Sequence, residues 1–143
     1  MSKSRSRKTQ ELRTWQAFSK YIRARDAIRS TGTLSEVVCF TCGQRLPTAA
    51  SQAGHIVSRT YQGALFNPKV VFAQCVHCNH NREGNHILGF FHLVEIVGYD
   101  TAVKIVFNSM KPKPLTMLDL EDIEEGCLYA TEVLEEFYEQ HAT

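Results

Sequence analysis

With 143 residues, 43% of them apolar and 22% charged, the chain has material for one modest core, and its composition excludes collagen-like and disordered classes. No apolar run approaches the roughly 20 residues that span a bilayer, so no membrane association is expected, and basic, serine-rich Met1–Lys8 does not read as a secretory signal. The net charge of +1 conceals a polarity: residues 1–30 hold nine Lys/Arg against two acids, residues 31–113 seven against four, and residues 114–143 nine acids with no Lys or Arg. That basic surplus suits a polyanion such as nucleic acid; alternatively, the basic first and acidic last segments neutralise each other, within one chain or across a dimer.

Residues 1–8 read as a flexible basic arm. From Thr9, the positions Leu12, Trp15, Phe18 and Ile22 recur at helical steps and form one apolar stripe, a core or dimer seam. Thr31-Gly32 ends that helix. Glu36–Phe40 is a short β-type run, and residues 43–54 read as a loop. A hairpin is expected around Ile56 and Val57, turning near Gln62-Gly63, with a further strand over Val70–Ala73. A helix is predicted from near Asn79, with Ile87, Phe91, Val94 and Val97 as its apolar side, and another over Thr101–Met110. Lys111–Pro114 breaks the pattern. Asp119 is expected to cap a final acidic helix with Ile123, Cys127, Ala130, Leu134 and Phe137 as its seam. The fold class is a small α+β domain. It comprises the arm, a unit over 9–113, and an acidic helix over 114–143 that belongs to the same unit or serves a dimer.

Five cysteines in a chain expected to be cytosolic point to metal before disulfides. Cys39 and Cys42 form one C-x2-C pair; Cys75 and Cys78 form another. Two such knuckles supply a tetrahedral four-sulfur shell, which has no open position for water, so the Zn2+ it suits is structural. Cys127 reads as a packing residue, and His77 as a bystander inside the second knuckle.

Polar residues cluster around the knuckles. His55 is expected at the start of a strand, Asn67 precedes Cys75 by eight residues, and Asn79 follows Cys78 directly. If the helix begins at Asn79, then Asn79, Glu83 and His86 share one face, which the zinc would hold opposite His55. Asn79 alone is also a favoured helix cap. Arg23, Arg25, Arg59 and Arg82 are candidates for phosphate contacts, while His80 and His92 read as surface groups.

A zinc-clasped His with an Asn directly after the fourth Cys resembles the ββα-metal (HNH/N) nucleases. Within them it is most similar to the junction-resolving endonuclease VII group and to the lambdoid recombination nuclease family Rap (NinG). Trp15-x-x-Phe18-Ser19-x-Tyr21-Ile22-Arg23-x-Arg25-Asp26 resembles the latter's amino-terminal signature. Ala53-Gly54-His55-Ile56-x-Ser58-Arg59, Phe66-Asn67, Ala73-Gln74-Cys75 and Cys78-Asn79 continue the match in order.

The resemblance implies a zinc-stabilised ββα-metal core flanked by helices, in a phage-encoded enzyme of the bacterial cytoplasm. It implies a nuclease cutting branched DNA such as Holliday junctions during recombination, as a homodimer. His55 would be the general base, Asn79 a ligand of one Mg2+ or Mn2+, and the products would carry 5′-phosphate and 3′-hydroxyl ends. Two positions depart from the pattern. Val70 stands where many of these nucleases have a middle Asn that braces the His, leaving Asn67 as the candidate brace. Gly54 stands where many have an Asp or His metal ligand, so Glu83, then His86, then Asp26 are candidates for the second ligand. Other expectations are a nicking or restriction-like enzyme on ordinary duplex, or a non-catalytic zinc module. The acidic helix is a candidate surface for a recombination or replication protein.

Overall fold

A computed structural model describes residues 4–141; Met1–Lys3 of the expected arm and the last two residues lie outside that range. Helix α1 spans Arg7–Thr31. Ser6 caps it, accepting the Thr9 N–H at 3.2 Å, so the helix starts two residues before Thr9 and the arm is correspondingly shorter. Gly32, at φ +73°, closes it with an N–H to the Ile28 carbonyl at 2.9 Å.

The apolar stripe of α1 holds at Phe18 and Ile22, which are fully buried, and at half-buried Trp15, but Leu12 is exposed. Polar residues are buried instead on the side that meets α5 (Met117–His141). There Thr14 donates to the Leu120 carbonyl at 2.9 Å and Gln10 Nε2 to Glu124 at 3.0 Å. Arg13 pairs with Glu124 at 3.0 Å and Lys20 with Glu135 at 3.7 Å. The basic and acidic helices thus neutralise each other in part within a single chain.

Two antiparallel hairpins lie beside α1. Strand β1 (Glu36–Val38) pairs with β2 (Arg45–Pro47), and β3 (Gln52–His55) pairs with β4 (Val71–Gln74). Both β2 and β3 fall in or across the stretch expected to be loop. Arg-Leu-Pro and Gln-Ala-Gly-His contain no β-branched residue, so their strand state comes from pairing with Glu36–Val38 and Val71–Gln74 rather than from propensity. His55 is therefore the last residue of its strand, not the first. Gln62–Leu65 is one helical turn, α2, inside a long connection and not a hairpin turn.

The helix expected to run from Asn79 is interrupted. His77–Asn81 form a wide π-type turn, and Glu83, Gly84 and Asn85 all take positive φ (50°, 87° and 52°) before α3 begins at His86. Helix α3 (His86–Val97) buries Gly89 and Leu93, leaving Ile87 and Phe91 exposed. The predicted face is rotated because an Ile56 methyl group occupies the space a side chain at Gly89 would need. Helix α4 (Tyr99–Ser109) follows, and Thr116 rather than Asp119 caps α5. Asp119 completes a reciprocal box, accepting the Thr116 N–H at 2.8 Å while its own N–H reaches Thr116 Oγ1 at 3.1 Å. On α5, Leu120 and Thr131 are buried, Ile123, Cys127, Ala130 and Leu134 half-buried, and Phe137 exposed.

Phe18, Ile22, Ile56, Val57, Val70, Val71 and Leu93 form the main core, where α1, the second hairpin and α3 meet. An ion pair joins α1 to that hairpin. Arg25 Nε donates to Asp26 at 2.8 Å, and its other nitrogens reach the Pro68 and Val71 carbonyls at 2.7 and 2.9 Å. Asp26 in turn accepts the Ala73 N–H at 2.7 Å. Arg25 is buried and lies over Phe72. It is an internal clamp rather than the exposed phosphate contact expected of it, and Asp26 is committed to the same clamp rather than to a metal. Among the described residues no helix is long and apolar enough to cross a membrane.

Candidate active site

The two knuckles converge. One thiol comes from the end of β1 and one from the turn after it; the other two come from the end of β4 and the π-type turn. The sulfurs of Cys39, Cys42, Cys75 and Cys78 all lie within 4.8 Å of one another. The Cys42–Cys75 separation is 3.8 Å, the edge length of a tetrahedron with zinc–sulfur bonds of about 2.3 Å. Burial opposes ionisation of Cys39, but N–H groups of Cys42, Cys75 and Thr41 and the Thr41 hydroxyl outweigh it, bringing that thiol to about 6. Burial chiefly raises the Cys75 thiol, and the Cys39 charge adds to the shift. A cluster that ionises one thiol readily and resists the next fits a divalent cation, which relieves the repulsion. These four residues can hold a structural zinc.

Next to the clasp, a cleft of about 830 Å³ opens between α1, β3 and the turn after Cys78. Among the residues lining it are Trp15, Arg23, His55, Arg59, Asn79, Glu83 and His86. His55 is 8% exposed, and its ring stacks on Trp15 with centroids 5.5 Å apart and planes 15° from parallel. His55 Nε2 lies 3.0 Å from the Leu65 carbonyl, which can only accept, so that nitrogen carries the proton and Nδ1 keeps the lone pair. Burial lowers the pKa of the imidazole; Arg59 and His86 push it the same way, against the Leu65 carbonyl. Burial thus favours the neutral ring, and the Leu65 carbonyl and Trp15 fix its tautomer and plane.

Asn79 lies across the cleft. Its Nδ2 donates to Gln52 Oε1 at 2.8 Å, and its Oδ1 lies 2.8 Å from the place a Cβ on Gly54 would occupy. Glu83 and His86 line the same cleft, but not as successive turns of one helix with Asn79, because Glu83 itself, Gly84 and Asn85 take positive φ and interrupt it. The His86 ring packs on Gly84. Among the described residues the four cysteines are the only set of three or more His, Cys, Asp or Glu with ligand atoms that close. The oxygen donors lining the cleft include the Asn79 amide and the Glu83 carboxylate, a donor type that a hard divalent cation would accept.

The remaining candidates divide. Arg23 and Arg59 line the cleft. Arg82 does not: its Nε donates to His77 Nε2 at 3.1 Å, within the second knuckle. Among the described residues Asn67 makes no hydrogen bond to His55. It accepts the Lys69 N–H at 3.0 Å and donates to the Gly63 carbonyl at 3.2 Å, so it shapes the loop whose Leu65 carbonyl holds the imidazole. His80 is exposed at the cleft rim, and His92 lies 3.3 Å from the Thr41 carbonyl. Trp15, read as core or dimer seam, is the platform under His55. Gln52 orients Asn79, and nothing in the sequence marked it, because residues 43–54 read as a loop.

The family model described as Bacteriophage Lambda NinG protein matches the chain over residues 1–136. The chain belongs to the NinG family. This is a family of bacteriophage recombination proteins, and the matched span of this NinG member takes in the clasp, the cleft and nearly all of α5. No curated protein and no solved structure matches the chain.

Proposed function

We propose that this NinG-family protein is a metal-dependent DNA endonuclease. It would hydrolyse phosphodiesters in branched DNA, such as Holliday junctions, during phage recombination in the host cytoplasm. The observation that carries the reading is His55: buried, stacked on Trp15, protonated at Nε2 by its bond to Leu65, and lining a cleft with Asn79 and two arginines.

In this mechanism Nδ1 of His55 takes the proton from the attacking water. The Leu65 carbonyl supports the positive ring that results. Arg23 and Arg59 hold the phosphates on either side of the scissile bond. Asn79, with Glu83 or His86, would hold Mg2+ or Mn2+, which supplies charge neutralisation at the reacting phosphate and at the departing 3′ oxygen. The products are a 5′-phosphate and a 3′-hydroxyl. Two incisions across a junction need two copies of the site, so the working form is a homodimer. The α1 and α5 stripes pack largely within the chain, leaving Leu128, Tyr129, Val133 and Phe137 exposed on α5 for a partner copy or another recombination protein.

The test is a cleavage panel in Mg2+ and Mn2+ on linear, flap and four-way DNAs of matched sequence. Four-way DNA should be cut preferentially, and His55→Ala should bind it while cutting at least a hundredfold more slowly. Preference for plain duplex would overturn the junction assignment. No cleavage with either ion would leave a zinc module that only binds nucleic acid.

A further inference from the structure

Gln74 is the last residue of β4, opposite Gln52 in the hairpin register and directly before Cys75. It is 0% exposed. Its Nε2 donates twice, to the Thr41 hydroxyl at 3.1 Å and to the Gly84 carbonyl at 2.7 Å. The Gly84 carbonyl can only accept, so the orientation of the amide is fixed: nitrogen toward Gly84, oxygen away from it. That oxygen has no hydrogen-bond partner among the described residues. An unpartnered buried carbonyl is costly and calls for an occupant that satisfies it.

That oxygen points to Gly54 and Asn79. A Cβ built on Gly54 would fall on Gln74 Oε1 and would lie 2.8 Å from Asn79 Oδ1. Gln74 therefore fills the space that a side chain at position 54 would take, and it brings a second amide oxygen beside that of Asn79. Two neutral oxygens from different elements, one tied to the zinc knuckle and the other to Gln52, offer a preformed edge for a hard cation. Hydrogen-bonding partners for both nitrogens keep the oxygens free.

We propose that Gln74 Oε1 is a further protein ligand of the divalent cation beside Asn79, supplying from β4 an oxygen where Gly54 offers none from β3. The proposal rests on the nuclease reading for the presence of that cation, but its test reads binding directly. Zinc-loaded protein is titrated with Mn2+, and free Mn2+ is followed by its electron paramagnetic resonance signal. Zinc content and melting temperature are recorded for every variant.

Gln74→Met, which keeps the bulk but removes the oxygen, should weaken Mn2+ binding at least tenfold with zinc still bound. Gly54→Asp alone should lower the melting temperature, because its Cβ competes with Gln74. Gly54→Asp combined with Gln74→Ala should recover Mn2+ binding to the native level or tighter, a result that a purely structural role for Gln74 does not give. The double variant also decides the matter if Gln74→Met fails to fold. Unchanged Mn2+ affinity in Gln74→Met, or no recovery in a folded double variant, overturns the proposal while wild-type binding and cleavage leave the nuclease reading standing. Failure of the wild-type protein to bind Mn2+ removes the cation itself, and with it both readings.

Discussion

Replacing Arg25 separates an internal clamp from a DNA contact. Arg25→Met keeps the aliphatic bulk over Phe72 but leaves the Asp26 carboxylate buried without its cation, facing only the Ala73 N–H. Removing one partner of a buried ion pair costs about 3–5 kcal/mol. The Pro68 and Val71 carbonyls lose their donors as well, adding about 1 kcal/mol or more for each that water cannot reach. Against a total stability of about 5–15 kcal/mol for a domain, the loss is a large share. Urea unfolding of the zinc-loaded protein, followed by far-ultraviolet circular dichroism, should show a midpoint lowered by about 2 M for a slope near 2 kcal/mol per M. Arg23 is the contrast. It is half-buried, and its one bond, 3.3 Å to the Ser19 carbonyl, stays within α1. Arg23→Met should change stability by less than about 0.5 kcal/mol and weaken four-way DNA binding instead. An Arg25→Met protein within about 1 kcal/mol of the native one, or one whose defect is confined to DNA binding, would refute the clamp.

Four further outcomes follow from the same structure. Because burial lowers the pKa of His55, the cleavage rate should climb with pH and pass half its maximum below the ordinary imidazole value of about 6.5; a half-maximum above that value would contradict the desolvated ring. The same shift has a stability sign: the unfolded chain protonates first, so this contribution is complete above about pH 6.5 and is lost as pH falls toward the lower native pKa, and His55→Gln should flatten that part of the stability curve. Zinc removal by a strong chelator, or Cys75→Ser, should unfold the knuckles and the hairpin together, seen as loss of dichroism in step with metal release; a chelated protein with an unchanged spectrum would argue against a structural ion. Truncation before Pro114 removes Leu120, whose burial alone is worth about 2–5 kcal/mol, and the partners of Gln10, Arg13 and Thr14. It should give an unfolded or aggregated chain by size-exclusion chromatography, whereas a soluble, more active fragment would make α5 an autoinhibitory arm.

The amino-acid order by itself determined what rests on local spacing and covalent chemistry. Two C-x2-C pairs specify a four-sulfur cluster wherever the chain runs between them, because each pair needs only its own tight turn. Helix α1 is readable from its stripe and from the glycine that ends it, and α5 from its acidic run after two prolines. Asn79 is legible because it directly follows the last cysteine of a knuckle, and His55 through the resemblance carried by the residues around it. Tertiary structure decided the rest, since the residues concerned take their state from partners distant in the chain. Gln52–His55 is a strand only because Val71–Gln74 pairs with it. Arg25, written as a charge on a basic helix, is buried because two carbonyls and Asp26 consume its donors. Glu83 and His86 keep their place at the cleft although the helix meant to carry them is broken by three left-handed residues. Gln74 shows the limit most clearly. Its neighbours Thr41, Gly54 and Gly84 are 33, 20 and 10 residues away along the chain, and only folding brings them around one amide.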